Sequence, residues 1–167
     1  MLTVTKQIMI DLSHAESWEK LRDISLASNY IPNVKKIEII TPAKEGIGAS
    51  RKAYLENGGK VVDETVTAWK DSEGFTLKLD INGQRALPWF DEFHFRYYIE
   101  EADHKTLFRP SILYQPRSDF MVGLQTKIYN CALGRELNVI CASMKSYYET
   151  NQPTSKTRLK EIRKSLK

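Results

Sequence analysis

The sequence predicts an α+β fold in which a curved antiparallel sheet of about seven strands wraps around a long C-terminal α-helix, with two short helices after the first strand. Three observations predict it. Short segments with apolar residues at alternate positions follow one another from Val34 to Gln115, with no room between them for crossover helices. Ser118 to about Thr150 is a long proline-free stretch with apolar residues at helical spacing. Ahead of both, one alternating segment is followed by a helical pattern that begins with a capping signal.

Length and composition set the frame. At 167 residues the chain is long enough for one domain with a sizeable core and short for two. Hydrophobic residues make up 41% and charged residues 28%, which excludes a disordered chain. No apolar run approaches the roughly 20 residues that a membrane span needs. The N-terminal stretch mixes Asp11 and Glu16 with its apolar positions, unlike a signal peptide, so a cytoplasmic protein is expected.

The elements can be justified in order. Leu2, Val4, Ile8 and Ile10 alternate with polar residues over 2–11 and read as a half-buried strand. Ser13 caps a helix from His14, with Glu16 completing a capping box and Trp18, Leu21 and Ile24 on its apolar face. A second short helix through Leu26 to Tyr30 ends at Ile31-Pro32. Val34–Thr41 is the next strand. Ala49–Glu56 and Lys60–Lys70 flank Asn57-Gly58-Gly59, a hairpin signal because those residues tolerate positive φ. Phe75–Ile81 and Phe93–Ile99 alternate cleanly, separated by a loop holding Asn82-Gly83 and Pro88-Trp89. A turn at Ala102–His104 leads to a last strand, Thr106–Gln115. In the long helix Val122, Tyr129, Leu133, Leu137, Ile140, Met144 and Tyr147 share one face. A second stripe (Met121, Leu124, Ile128, Ala132) makes its first half apolar nearly all round and leaves the second half ordinarily amphipathic. Gly123 and Gly134 mark a bend or a close contact. The domain is expected to span 1–152, and 153–167 is expected to be a disordered basic tail.

Charge and cysteines narrow the function. The tail holds Lys156, Arg158, Lys160, Arg163, Lys164 and Lys167 against Glu161; this +5, set against the net charge of +4, leaves residues 1–153 at −1. The folded part is neutral, and no nucleic-acid partner is expected. Cys131 and Cys141 lie roughly 15 Å apart along one helix, too far to form a disulfide with each other, and read as buried or half-buried small hydrophobes. His14, His94 and His104 are scattered, with no metal-ligand spacing, and neither a metal nor an organic cofactor is expected. No nucleophile, phosphate-loop or paired-carboxylate motif is present.

The element order, with Ser13–Asp23 reading SHAESWEKLRD, resembles the START-like helix-grip superfamily (SRPBCC), which groups major pollen allergens, START lipid-transfer domains and aromatase/cyclases. Gly46–Trp69, GIGASRKAYLENGGKVVDETVTAW, resembles the polyketide cyclase/dehydrase subfamily. The likeness runs from Val4 to about Tyr148. It implies a helix-grip fold that binds lipids, polyketides, steroids or other hydrophobic molecules without an obligate cofactor.

A sheet curled over one helix leaves a cavity lined by inward side chains, or else those side chains fill a solid core. The most informative pair within it is Arg51 and Glu64. Ala49, Ala53 and Leu55 face inward on one hairpin strand and Val62, Val66 and Ala68 on the other, so the period of two turns both charges inward too. Either charge alone would cost several kcal/mol to bury, so they pair with each other or with a ligand. Two readings stand: a structural ion pair, or Arg51 fixing a ligand oxygen with Glu64 as its orienter. Inward alternation adds Phe93, Phe95 and Tyr97, and Tyr114 with Phe108; Trp89 and Phe90 are placed as a lid, and Met121, Leu124 and Ile128 complete the candidate ligand-binding set. The expected partner is a hydrophobic small molecule such as a lipid, quinone or polyketide. Alternatives are a cyclase- or dehydratase-like enzyme, and an interaction module, monomeric or dimeric, using Met121, Leu124 and Ile128. The tail, if amphipathic through Leu159, Ile162 and Leu166, adds a weak membrane-surface contact.

Overall fold

The computed structural model describes residues 1–56, 59–81, 84–85, 90–117 and 122–166, with 84–85 and 122–125 described by their backbone alone. Its elements run β1 (Leu2–Thr5), β2 (Ile8–Ile10), α1 (His14–Arg22), a 3-10 turn (Ile24–Asn29), β3 (Val34–Ile39), β4 (Ser50–Leu55), β5 (Val61–Lys70) and β6 (Gly74–Ile81). There follow β7 (Gln84–Arg85), β8 (Phe90–Ala102), β9 (Lys105–Phe108), β10 (Ser111–Pro116), α2 (Val122–Thr150) and α3 (Lys156–Ser165).

The sheet is antiparallel throughout, in the order β1-β10-β8-β6-β5-β4-β3, with β2 pairing β9, β9 also pairing β8, and β7 pairing β6. Ten strands stand where about seven were expected, largely because two long runs break opposite each other. Residues 2–10 split at Lys6-Gln7 and residues 105–116 split at Arg109-Pro110, where proline has no N–H to donate. The Lys6 N–H donates to the Pro110 carbonyl at 3.2 Å across the break.

Local chemistry explains the elements. At the start of α1 the Ser13 hydroxyl accepts from the Glu16 N–H, and the Glu16 carboxylate accepts from the Ser13 N–H, the expected capping box. Asp103 and His104 both take positive φ in the two-residue turn between β8 and β9. Gly74 has φ +147, and a Cβ there would lie 2.1 Å from the Tyr97 carbonyl oxygen of the neighbouring strand. A bulge between Val66 and Ala68 shifts the face of β5. Ala68 is therefore exposed, against the simple alternation. Trp69 turns inward instead, 5.4 Å from Trp18 and 5.3 Å from Phe75 between ring centres.

α2 crosses the concave face, and Leu137, Ile140, Met144 and Tyr147 on it are buried. Gly134 is the predicted close contact, since a Cβ there would meet the Lys6 side chain at 3.3 Å and Val4 at 3.8 Å. The expected distribution of apolar burial is reversed. In the first half Ile128 and Ala132 are exposed and Tyr129 and Leu133 only half-buried, whereas the second half also buries Val139, Cys141, Ser143 and Tyr148. Other helices cover that second half. Cys131, expected to be at least half-buried, is exposed on the uncovered first half.

The expectation of a disordered tail is corrected as well. Ser155 caps α3 by accepting from the Arg158 N–H at 3.1 Å, and Ile162 buries itself against α2. A helix this short does not hold alone in water, and the Val139 face of α2 supplies the surface it needs. Among the described residues no helix is long and apolar enough to cross a membrane.

Candidate functional site

Across the sheet, Ile39 pairs with Arg51, Arg51 with Glu64, and Glu64 with Leu79. Phe93 pairs with Tyr114 further along. The hairpin thus places Arg51 and Glu64 side by side, as the alternation predicts. The Arg51 Nε donates to a Glu64 carboxylate oxygen at 2.5 Å, and one terminal nitrogen donates to the Ile24 carbonyl in the 3-10 turn. Arg51 is 2% exposed and Glu64 13%. The arginine is therefore the rear anchor, tying the sheet to the helical cap, and Glu64 is the member of the pair closer to open space. Burial works hardest against the guanidinium charge, but Glu64 together with Tyr97 and Tyr30 outweighs it, and the Arg51 pKa is raised.

Phenols surround the arginine. Tyr97 packs against Phe75 at 4.9 Å, Phe95 at 4.6 Å and Phe108 at 6.2 Å. Tyr30 stacks on Tyr147 at 5.9 Å and meets Tyr148 edge-on at 5.8 Å. The Asn29 amide donates to the Tyr147 hydroxyl at 3.1 Å, whereas the buried hydroxyls of Tyr30 and Tyr148 have no hydrogen-bond partner among the described residues. Burial pushes Tyr30 and Tyr148 well above the usual phenol range, and pushes Tyr97 up to about 12 although the Arg51 charge pulls the other way. These groups stay neutral donors at physiological pH.

A pH dependence follows. The folded-state pKa of Tyr97 exceeds the unfolded value of 10.0, so the folded protein binds more protons between pH 10 and 12. Its contribution is intact below pH 10 and is lost as pH rises through that window. Tyr97 alone accounts for about 2–3 kcal/mol of the loss, and Tyr30 and Tyr148 add to it. Urea midpoints measured at rising alkaline pH should fall steeply in the native chain and less steeply in Tyr97→Phe. Equal slopes would refute this assignment.

The inner face is more open toward one end. On β6, Phe75 and Leu77 are fully buried and Leu79 half-buried; on β8, Ile99, Tyr97 and Phe95 are buried and Phe93 half-buried. Tyr129 and Leu133 of α2 are likewise half-buried. An aromatic group gathers at that end, where Phe90 lies 5.6 Å from Phe93, 4.9 Å from Tyr114 and 5.1 Å from Tyr129. The Tyr114 hydroxyl donates to the Asn130 side-chain oxygen at 2.7 Å.

The structure therefore brings Arg51, Glu64, Phe95, Tyr97 and Phe108 together in the interior and places Phe93 and Tyr114 toward its more open end. Phe90, expected in a lid, is 3% exposed and belongs to the wall. Ile128 is 60% exposed and lies away from the interior, because the covered face of α2 runs through Tyr129 and Leu133. Trp89 and Met121 lie outside the described residues, as does the side chain of Leu124. Tyr30 and Tyr148 are absent from the expected set. For Tyr148 a signal exists in the helical spacing Leu137, Cys141, Met144, Tyr148; for Tyr30, which ends a 3-10 turn, periodicity offers none.

Against known proteins, a family model described as polyketide cyclase / dehydrase and lipid transport matches residues 1–135. The chain belongs to this family. The membership fits a curved sheet, a long helix and an aromatic interior, and supports hydrophobic ligand binding at the level of the family. No curated protein matches the chain in sequence. Among solved structures, a protein from Nitrosospira multiformis is similar with a TM-score of 0.64 and 15% identity, over 90% of this chain and 98% of that one. Ara h 8.0201 is similar at 0.63 and 16%, over 88% and 97%. Major latex-like protein 151 from Panax ginseng is similar at 0.64 and 12%, over 88% and 97%. At such identities these likenesses establish the helix-grip fold of the family and nothing finer.

Proposed function

We propose that the chain binds and carries a hydrophobic small molecule bearing an oxygen acceptor, held between the concave sheet and α2. The observation that supports this most is the gradient of burial along the inner face. Leu79 and Phe93 on the sheet and Tyr129 and Leu133 on α2 are only half-buried although they pack against the core, which supports an entrance for a ligand at that end. The apolar body of the ligand would lie along these side chains. Its oxygen would approach the neighbouring phenols of Tyr30, Tyr97 and Tyr148, of which the Tyr30 and Tyr148 hydroxyls make no close hydrogen bond among the described residues. Tyr97 and Arg51 hold their protons at neutral pH, which suits fixed donors in a carrier better than proton shuttles in an enzyme.

The test is native mass spectrometry of the purified full chain with solvent extraction, followed by titration with the apolar fluorophore 1-aminoanthracene. A co-purified mass or stoichiometric uptake of the fluorophore is expected, with affinity lowered at least about tenfold by Leu133→Trp, which fills the space beside α2. An apo mass together with no uptake would overturn the proposal. So would uptake that is unchanged in a correctly folded Leu133→Trp protein.

A further inference from the structure

The geometry points to a second seat for α3: the surface of an anionic lipid bilayer, reached by release of the helix from α2. Charge is the first reason. Residues 1–153 sum to −1, and the positive charge of the chain is gathered beyond them. Lys160 and Lys164 project outward with no ion pair among the described residues, and Lys156 is 77% exposed beside Glu56.

The seating of the helix is the second reason. Leu159, Ile162 and Leu166 form one stripe, yet against α2 only Ile162 is fully buried; Leu159 is half-buried and Leu166 47% exposed. A depression of about 390 Å³ remains at the contact, lined by Arg135, Val139, Arg163 and Leu166 among others. Arg163 makes two hydrogen bonds to the Glu136 carboxylate at 2.9 and 3.0 Å, and Lys156 reaches Glu56 at 3.1 Å. Ion pairs this exposed are weak and are screened by salt. The connection from α2 runs through Asn151, at φ +57, and Pro153 to Thr154, whose N–H donates to the Asn29 carbonyl at 2.8 Å and whose hydroxyl donates to the Ser143 carbonyl at 3.2 Å, so α3 would swing about a point held at Thr154.

A helix of this length needs an apolar surface to persist, and its stripe is flanked by cations. An anionic bilayer meets both needs, taking Leu159, Ile162 and Leu166 into the interface and the lysines among its headgroups. A nucleic acid would satisfy the charges and leave the apolar stripe in water. The inference is independent of what the interior binds, and α3 lies beyond the part of the chain matched by the family model.

The experiment is flotation of the full chain with phosphatidylcholine vesicles made with and without phosphatidylserine, at low and raised salt. Binding is expected only with phosphatidylserine and should weaken as salt rises. Lys160→Glu combined with Lys164→Glu should lower partition at least tenfold, since each cation near such a surface contributes roughly fivefold. Glu136→Gln, which breaks the bidentate pair, should raise it up to about fivefold, and by more than Glu101→Gln, which removes the same charge away from α3. Leu166→Trp should add a component to the emission that shifts to the blue on phosphatidylserine vesicles. No binding, binding indifferent to the lysine reversals, or no blue shift would each overturn the proposal. Binding to polyuridylate in place of vesicles would overturn it in favour of a nucleic-acid surface.

Discussion

Replacing Glu64 with Leu is expected to lower stability by about 3–5 kcal/mol, because it leaves the guanidinium of Arg51, 2% exposed, without its counter-charge. Arg51→Met should cost a similar amount for the converse reason, and it also strips the Ile24 carbonyl of its donor. The double variant Arg51→Met/Glu64→Leu should be more stable than either single variant, recovering at least half of the larger loss, since apolar side chains of similar size replace both charges. Urea unfolding of the four proteins gives the coupling. A double variant as unstable as the sum of the singles would show that the two charges act separately. The folded double variant also divides the two readings of the pair. Unchanged uptake of the fluorophore would make it a structural clasp between sheet and cap; lost uptake would place Glu64 or Arg51 against the ligand.

Gly74→Ala should be nearly as damaging, at about 3–5 kcal/mol, through collision with backbone that a rotamer change does not relieve. The added methyl would sit 2.1 Å from the Tyr97 carbonyl oxygen and 3.0 Å from the Tyr98 Cα. Gly59→Ala is the matched control. Its φ is +65 and nothing lies within 4 Å of the new Cβ, so only the cost of a left-handed residue applies, about 1–2 kcal/mol. Thermal unfolding of both variants separates the contributions. Equal losses would mean that the crowding at Gly74 is relieved elsewhere.

The legible parts of this molecule are those governed by local rules. The capping box at Ser13 and Glu16 is written within four residues, and the Arg51–Glu64 pair follows from strand alternation across one hairpin. Simple alternation turns Ala68 inward, and the structure does not, because a bulge changes the period without any glycine or proline to announce it. The reversal along α2 has a different cause. Composition shows how apolar a helix is, but which part is covered all round depends on distant elements: α1 and the 3-10 turn bring Lys20 and Tyr30 against Tyr147 and Tyr148, and α3 covers Val139. The tail was hard to read for the same reason, since three apolar residues make a helix only when a partner surface is present. In the candidate site, alternation located the strand residues and passed over Tyr30.

The pairing of β1 with β10 bears on how the chain is made. Leu2 lies opposite Tyr114, so β1 is made well before its partner β10 and has none until nearly the whole sheet has been synthesised. At about 5–20 residues per second that interval is roughly 6 to 23 seconds. Meanwhile the hairpins of β3 to β6 join neighbours in sequence and are free to form as they emerge. The topology thus favours assembly of the sheet from β3–β6 outward, with β1 joining only once β10 is present. During that time its open edge needs protection from other nascent chains, and Lys6 and Asp11, flanking the short β2, supply charge to discourage such pairing.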